Sequence, residues 1–187
     1  MRDHGESVIE ILTTDHREVE GVFHRLENGR LDDPAERKNL AQQAIIELVR
    51  HSVAEEMYLY PATRKFVPNG DVIADREIAD HAAAERVMKE LETLEPDAPR
   101  FEPALRELMT EVRRHIQDEE SNLFPLLVQH CDPEELLDLG RSVERAKKLA
   151  PTRPHPSAPD RPPLNKLLAP GAGLVDRVRD AFSKRGE

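Results

Sequence analysis

At 187 residues the chain is long enough for one domain with a real core. Its 27 basic and 37 acidic residues give a net charge of −10, which makes nucleic acid and anionic membranes poor partners. A composition 34% charged, 38% hydrophobic and 4% aromatic, without Trp, suits slender helices with wide solvated faces better than a thick sheet core. Cys131 stands alone, which excludes an internal disulfide and a cysteine metal cluster. No apolar run reaches signal-peptide or membrane-spanning length, so the expectation is a soluble, cytoplasmic protein.

The first predicted helix runs from about Glu6 to Leu26, with Ile9, Leu12, Val19, Phe23 and Leu26 as its apolar stripe and His16 in the same stripe. Asn28-Gly29 closes it, and Asp33-Pro34-Ala35-Glu36 opens the next with an Asp cap, Pro at the first helical position and Glu at the third. The second helix carries Leu40, Ala44, Leu48, His51, Glu55 and Tyr58 on one seam, so the stripe turns from apolar to polar without changing phase. Polar groups placed where neighbouring helices pack need partners. Pro61 is expected to bend or end this helix, and Pro68-Asn69-Gly70 reads as a turn.

The third helix, from about Val72 to Leu94, buries Ile78, His81, Met88 and Leu91. The fourth, from about Phe101, has the cleanest stripe: Phe101, Leu105, Leu108, Val112, His115, Glu119, Asn122 and Leu126. Asp132-Pro133-Glu134-Glu135 caps a short fifth helix holding Leu136, Leu137, Leu139, Val143 and Leu149. Seven prolines among residues 151–170 predict an extended linker, which sets a domain of residues 1–150 apart from a segment of residues 151–187. Within that segment, Leu174, Val178 and Phe182 would share one side of a short amphipathic helix. The predicted fold is all-α, an up-down-up-down four-helix bundle with a short fifth helix and a Pro-rich C-terminal extension.

An internal duplication organises the whole. HSVAEEMYLYP, from His51 to Pro61, recurs as HIQDEESNLFP, from His115 to Pro125, and the Asp15-His16 region recurs at Asp80-His81. Helical spacing puts His51 with Glu55, and His115 with Glu119, on common faces. In an antiparallel bundle His16, His51, His81 and His115 should meet at one depth. Four imidazoles and two carboxylates in a buried layer make a metal site, because cations remove the cost of burying Glu55 and Glu119 and use the imidazole lone pairs. The count suits two ions, with two nitrogens for each and both Glu residues bridging. A mixed nitrogen and oxygen set with open positions suits iron, with manganese and zinc as competitors.

The order His, His-x3-Glu, His, His-x3-Glu over residues 6–130 resembles the hemerythrin-like HHE cation-binding family. The resemblance implies that His16, His51, Glu55, His81, His115 and Glu119 hold two irons with an oxo or hydroxo bridge. It implies a protein that binds or senses oxygen, nitric oxide or iron, the ligand being a small diatomic molecule or peroxide. The alternative is an enzyme that detoxifies hydrogen peroxide or nitric oxide. The chain departs from the oxygen-carrying hemerythrins in having Glu85 where they place a second His one turn after the third-helix His. It also carries Glu119 four residues after His115, where they use an Asp at five. One His fewer leaves a more open, oxygen-rich site.

Glu20 and Glu85, each one turn after a His, are expected to be solvated charges, with ligation or support of the site as the alternative. Asp15 and Asp80 are expected to cap or to lie at the surface. Ideal helix phase favours Tyr58 as the phenol approaching the metals, Tyr60 is the alternative because Pro61 can distort the local geometry, and packing is the default for both. His4, His24, His130 and His155 are expected at the surface, and Cys131 as a small packing residue.

Overall fold

The computed structural model describes residues 5–30 and 33–156, together with Ala172 and Asp176. His4 and most of the segment after Pro156, including the expected amphipathic helix, lie outside the described residues. Helix α1 spans Val8–Asn28 and starts with a reciprocal cap, in which the Ser7 hydroxyl accepts from the Glu10 amide and the Glu10 carboxylate accepts from the Ser7 amide. Helix α2, Pro34–Ala54, starts on Asp33, whose side chain accepts from the Ala35 amide. Helix α4 covers Gly70–Thr93, α5 covers Phe101–Asp118 and α7 covers Pro133–Leu149. Asp132 precedes α7 but makes no side-chain cap bond.

Helix α2 does not end at Pro61. It passes through a π turn, π1, at Glu55–Leu59 into α3, Tyr60–Phe66, and α5 passes likewise through π2, Glu119–Leu123, into α6, Phe124–His130. In each turn the amide after the segment bonds five residues back, from Tyr60 to the Glu55 carbonyl and from Phe124 to the Glu119 carbonyl. Pro61 and Pro125 supply the physical reason: each lacks an amide hydrogen and its ring crowds the carbonyl four residues earlier, so a wider turn is favoured there. The extra residue shifts the helix phase. Leu123 and Leu127 are buried where an ideal helix would bury Asn122 and Leu126, of which Asn122 is exposed and Leu126 half-buried.

The four long helices enclose two apolar clusters. One holds Phe23, Leu26, Ile45, Phe101, Leu105 and Leu108. The other holds Leu12, Leu59, Ile78, Leu123, Leu127 and Val143. Asn69, at φ 56°, takes the left-handed conformation that turns α3 into α4. Helix α7 packs on α1, α2 and π1, and Gly140 permits the approach, since a Cβ there would sit 2.4 Å from the Glu6 carbonyl oxygen. Residues 150–156 lie along the bundle with Pro151, Thr152 and Pro154 buried. Among the described residues no helix is long and apolar enough to cross a membrane.

Candidate metal centre

Between the two clusters lies a polar layer. His16, His51, Glu55, Glu77, His81, His115 and Glu119 are all buried, and the three carboxylates have no exposed surface. Each ring presents Nε2 to the bundle axis. The Glu55 carboxylate spans two rings, with Oε1 3.1 Å from His51 Nε2 and Oε2 3.3 Å from His81 Nε2. Glu119 Oε2 lies 3.4 Å from His16 Nε2 and 3.6 Å from His115 Nε2. The rings fall into two pairs, His16 with His51 at 5.0 Å between centroids and His81 with His115 at 4.6 Å. All six residues singled out from the sequence are therefore brought together.

The outward nitrogens are held by a second set of carboxylates. His16 Nδ1 is 2.9 Å from Glu120, His51 Nδ1 3.3 Å from Asp15 and His81 Nδ1 3.1 Å from Glu56. Glu77 Oε2 stands 3.0 Å from His115 Nδ1. A hydrogen-bonded carboxylate behind His16, His51 and His81 fixes the tautomer and aim of each, the usual support for a metal-binding His, whereas Glu77 stands beside His115 without an aligned hydrogen bond. Asp15 is thus not a surface or capping residue: it supports a ring on the neighbouring helix, a relation that sequence spacing does not express. Asp80, its counterpart, pairs with Arg114 at 2.9 Å as a surface residue would. Glu77 also escaped the sequence reading. The signal was there, since Glu77 lies one turn before His81, at the position that the repeat fills with Leu12 in the first half.

Tyr60, not Tyr58, reaches the centre. Its hydroxyl lies 3.0 Å from His81 Nε2, 3.2 Å from Glu119 Oε1 and 3.4 Å from Glu55 Oε2, because π1 rotates the chain beyond Glu55. Phe124, the repeat's counterpart, stacks on His16 at 5.7 Å. Glu20 and Glu85 stay out of the layer, but Glu85 is not the solvated charge expected: it is half-buried, and burial pushes its carboxyl up. Glu20 accepts from Arg113 at 2.6 Å, and Glu85 accepts from the His155 amide at 2.7 Å. Antiparallel helices explain this, since four residues onward in α1 and α4 leads away from the end reached from α2 and α5. His155 itself is only half-exposed and bonds Asp176 at 3.0 Å. His24 and His130 are exposed, and Cys131 is a buried packing residue.

Charge follows geometry. Burial opposes a cation at His51, but Glu55 and Asp15 outweigh it and push the imidazole up to about 10. Burial likewise opposes charge at His81, and Glu55 with Glu56 pushes it up to about 10. Burial disfavours the Glu55 carboxylate too, yet His51 and His81 hold it well below the usual range. Tyr60 is driven well above the ordinary phenol range by burial and then by Glu119, Glu55 and Glu77, so its proton stays on. Six carboxylates surround the four rings; Arg17, Lys147 and Arg76 pair with Glu120, Asp15 and Glu77, while Glu55, Glu56 and Glu119 face the rings and any cation. His16 Nε2, Glu55 Oε1, Glu77 Oε2, His115 Nδ1 and Glu119 Oε2 are buried with charged neighbours at 3.0–3.6 Å but no aligned hydrogen bond, and such atoms fit metal ligation. Three groups of side chains are close enough to hold an ion: His16, His51, Glu55 and Glu119; Glu55, His81 and His115; and Glu77, His115 and Glu119.

A cavity of about 30 Å³ adjoins the four rings, walled one turn further along by Val19, Leu48, Ala84 and Val112, with Met88 beyond. A water needs at least about 10–15 Å³ of such space, so the cavity admits a ligand of two or so heavy atoms.

An all-helical bundle with a buried His and carboxylate layer is a cation-binding architecture. Residues 7–127 match the family model described as the hemerythrin HHE cation binding domain, and the chain belongs to that family. It is 32% identical over 178 residues to an uncharacterized hemerythrin-like protein of Schizosaccharomyces pombe, covering 95% of this chain and 87% of that one. It is 28% identical over 142 residues to a DNA nickase of Nostoc sp., covering 75% of this chain but only 39% of the nickase. The crystal structure of a hemerythrin HHE cation binding domain-containing protein from Mycobacterium kansasii shares the fold. Its TM-score is 0.65 at 22% identity, covering 76% of this chain and 86% of that one.

Proposed function

We propose that the chain holds two iron ions, for which His16, His51, His81, His115, Glu55 and Glu119 would supply the ligands, and that it binds or senses a small ligand there. The observation that carries this reading is the orientation of the rings: four Nε2 atoms gather around two carboxylates while each Nδ1 faces a carboxylate of its own. Iron, when bound, supplies ferrous–ferric redox chemistry and positions for an exogenous ligand. The residues of the chain do the rest. The carboxylates behind the rings keep the imidazoles aimed and electron-rich, the two apolar clusters limit water, and the cavity leaves room beside the rings for a ligand the size of oxygen, nitric oxide or peroxide.

A second reading, consumption of peroxide or nitric oxide, draws on Tyr60, which holds a proton against Glu55, Glu119 and His81. Tyr60 does not line the cavity, which favours binding over turnover. A net charge of −10 works against contact with DNA, so nicking is no part of either reading. Elemental analysis of the purified protein should find about two irons per chain, as a two-metal site requires. Optical spectra with nitric oxide or oxygen should then report ligand binding, and added hydrogen peroxide should persist. Rapid peroxide loss would transfer the assignment to the enzyme, and no iron after anaerobic ferrous loading would end both.

A further inference from the structure

The matched family segment ends at residue 127, yet a contact from α7 reaches the support of the metal centre. Lys147, in the last turn of α7, bonds through Nζ to Asp15 Oδ1, and Asp15 Oδ2 lies 3.3 Å from His51 Nδ1. Both side chains of the outer pair are largely shielded, Lys147 being 21% and Asp15 11% exposed. The series runs from α7 through α1 to α2 and ends on His51 Nε2, 3.1 Å from Glu55 Oε1. The other half of the duplication is built differently. Asp80, the counterpart of Asp15, is drawn off by Arg114, and His115 leans on Glu77, which Arg76 of the same helix holds at 2.8 Å.

We propose that Lys147 is a positioning residue for the metal centre, acting through Asp15 to fix the aim of His51, so that the fifth helix tunes the His16/His51 pair and not the His81/His115 pair. The inference rests on the metal-binding reading above. The physical reason is that a carboxylate has two rotamer choices open to it, the imidazole or solvent, and a cation on its second oxygen holds it on the ring. Helix α7 brings that cation from outside the four long helices, and its approach is set by Gly140 and by burial of Leu136, Val143 and Ala146.

The test is anaerobic titration of ferrous iron into the full chain, read by competition with a coloured chelator. Wild type is compared with Lys147→Met, Lys147→Arg, Asp15→Asn and the Asp15→Asn/Lys147→Met double variant. Loss of a supporting partner typically weakens metal binding 10–100-fold, and Lys147, one step further out, is expected at the lower end, about tenfold, in one of the two binding steps. Lys147→Arg should restore that step. On the Asp15→Asn background Lys147→Met should add less than about twofold, because the two residues act in series. Wild-type affinity in Lys147→Met overturns the proposal. So does an undiminished effect in the double variant, or equal weakening of both steps, either of which would mean general loosening of the bundle. If wild type itself takes up no iron, the metal reading fails and this inference with it, whereas normal uptake by every variant removes this inference alone.

Discussion

The His16/His51 pair and the His81/His115 pair come from equivalent positions of one duplicated helix pair, but their surroundings have diverged. Around the first stand Leu12 and the stacked ring of Phe124, with Asp15 and Glu120 behind the imidazoles. Around the second stand the buried carboxylate of Glu77 and the hydroxyl of Tyr60, with Glu56 behind His81. Each side has two carboxylates behind its rings, but the second keeps Glu77 fully buried and adds the Tyr60 hydroxyl. Duplication preserved what must be shared, the two carboxylates and four rings at the centre, and left free what each side does with them. Hard cations of higher charge are better accommodated where oxygen ligands gather, so the two positions are not expected to be equivalent.

The largest effect should come from the shared residues, which belong to both sides. Glu55→Ala is expected to abolish binding at both positions, seen as loss of iron by elemental analysis. In the metal-free protein it also strands the His51 and His81 cations, which should cost about 3–5 kcal/mol in urea unfolding, as breaking a buried pair does. Retention of one tightly held iron would show that the sides are more independent than the geometry implies.

Acidity should treat the two sides alike. His51 and His81 are each raised from 6.5 to about 10 in the folded protein, so the stability they contribute without metal is complete below pH 6.5 and is lost as pH rises through 10. Glu55, lowered from 4.5, contributes in full above that value and loses its contribution on acidification. The thermal midpoint of metal-free protein should accordingly fall between about pH 6.5 and about pH 10. A midpoint that rises over that range would contradict the charge assignment. Loading near neutral pH should release about two protons, one from each side, measurable with a pH indicator.

The side that buries Glu77 is tested by giving it the residue of its counterpart. Glu77→Leu should weaken metal binding about 10–100-fold in one of two titration steps and leave the other unchanged. If both steps move together, Glu77 supports the fold and not a particular side. Tyr60→Phe makes the same exchange with Phe124. Metal content should hold, stability should drop by about 1 kcal/mol for the lost hydrogen bonds, and the spectrum of the iron-loaded protein should shift if the phenol touches the centre. The smallest effect belongs to His24→Ala, an exposed site away from both pairs, expected within about 0.5 kcal/mol of wild type with full metal content.

The six central residues were legible because they obey the simplest rule available, a spacing of four on a helix whose apolar stripe turns polar. The same rule failed beyond Glu55 and Glu119. Extrapolating an ideal period through the π turns favours Tyr58, Asn122 and Leu126, whereas the structure turns in Tyr60, Leu123 and Leu127. The prolines were visible, but a proline announces only that the ladder is interrupted, and the same residue ends, kinks or widens a helix according to what packs around it. Asp15, Glu56 and Glu120 were hidden for another reason. Each supports a ring on a different helix from its own, so neither its neighbours in sequence nor its phase reveals its partner.

The main helices, their order and the depth at which four His residues meet are written in the chain, because periodicity, caps and turns are local and the duplication repeats them. Which carboxylate stands behind which imidazole, which tyrosine enters the centre and that α7 reaches it through Lys147 emerge from the packed bundle. Those choices depend on the distance and rotation between helices far apart in the chain, and side-chain packing, not local propensity, sets them.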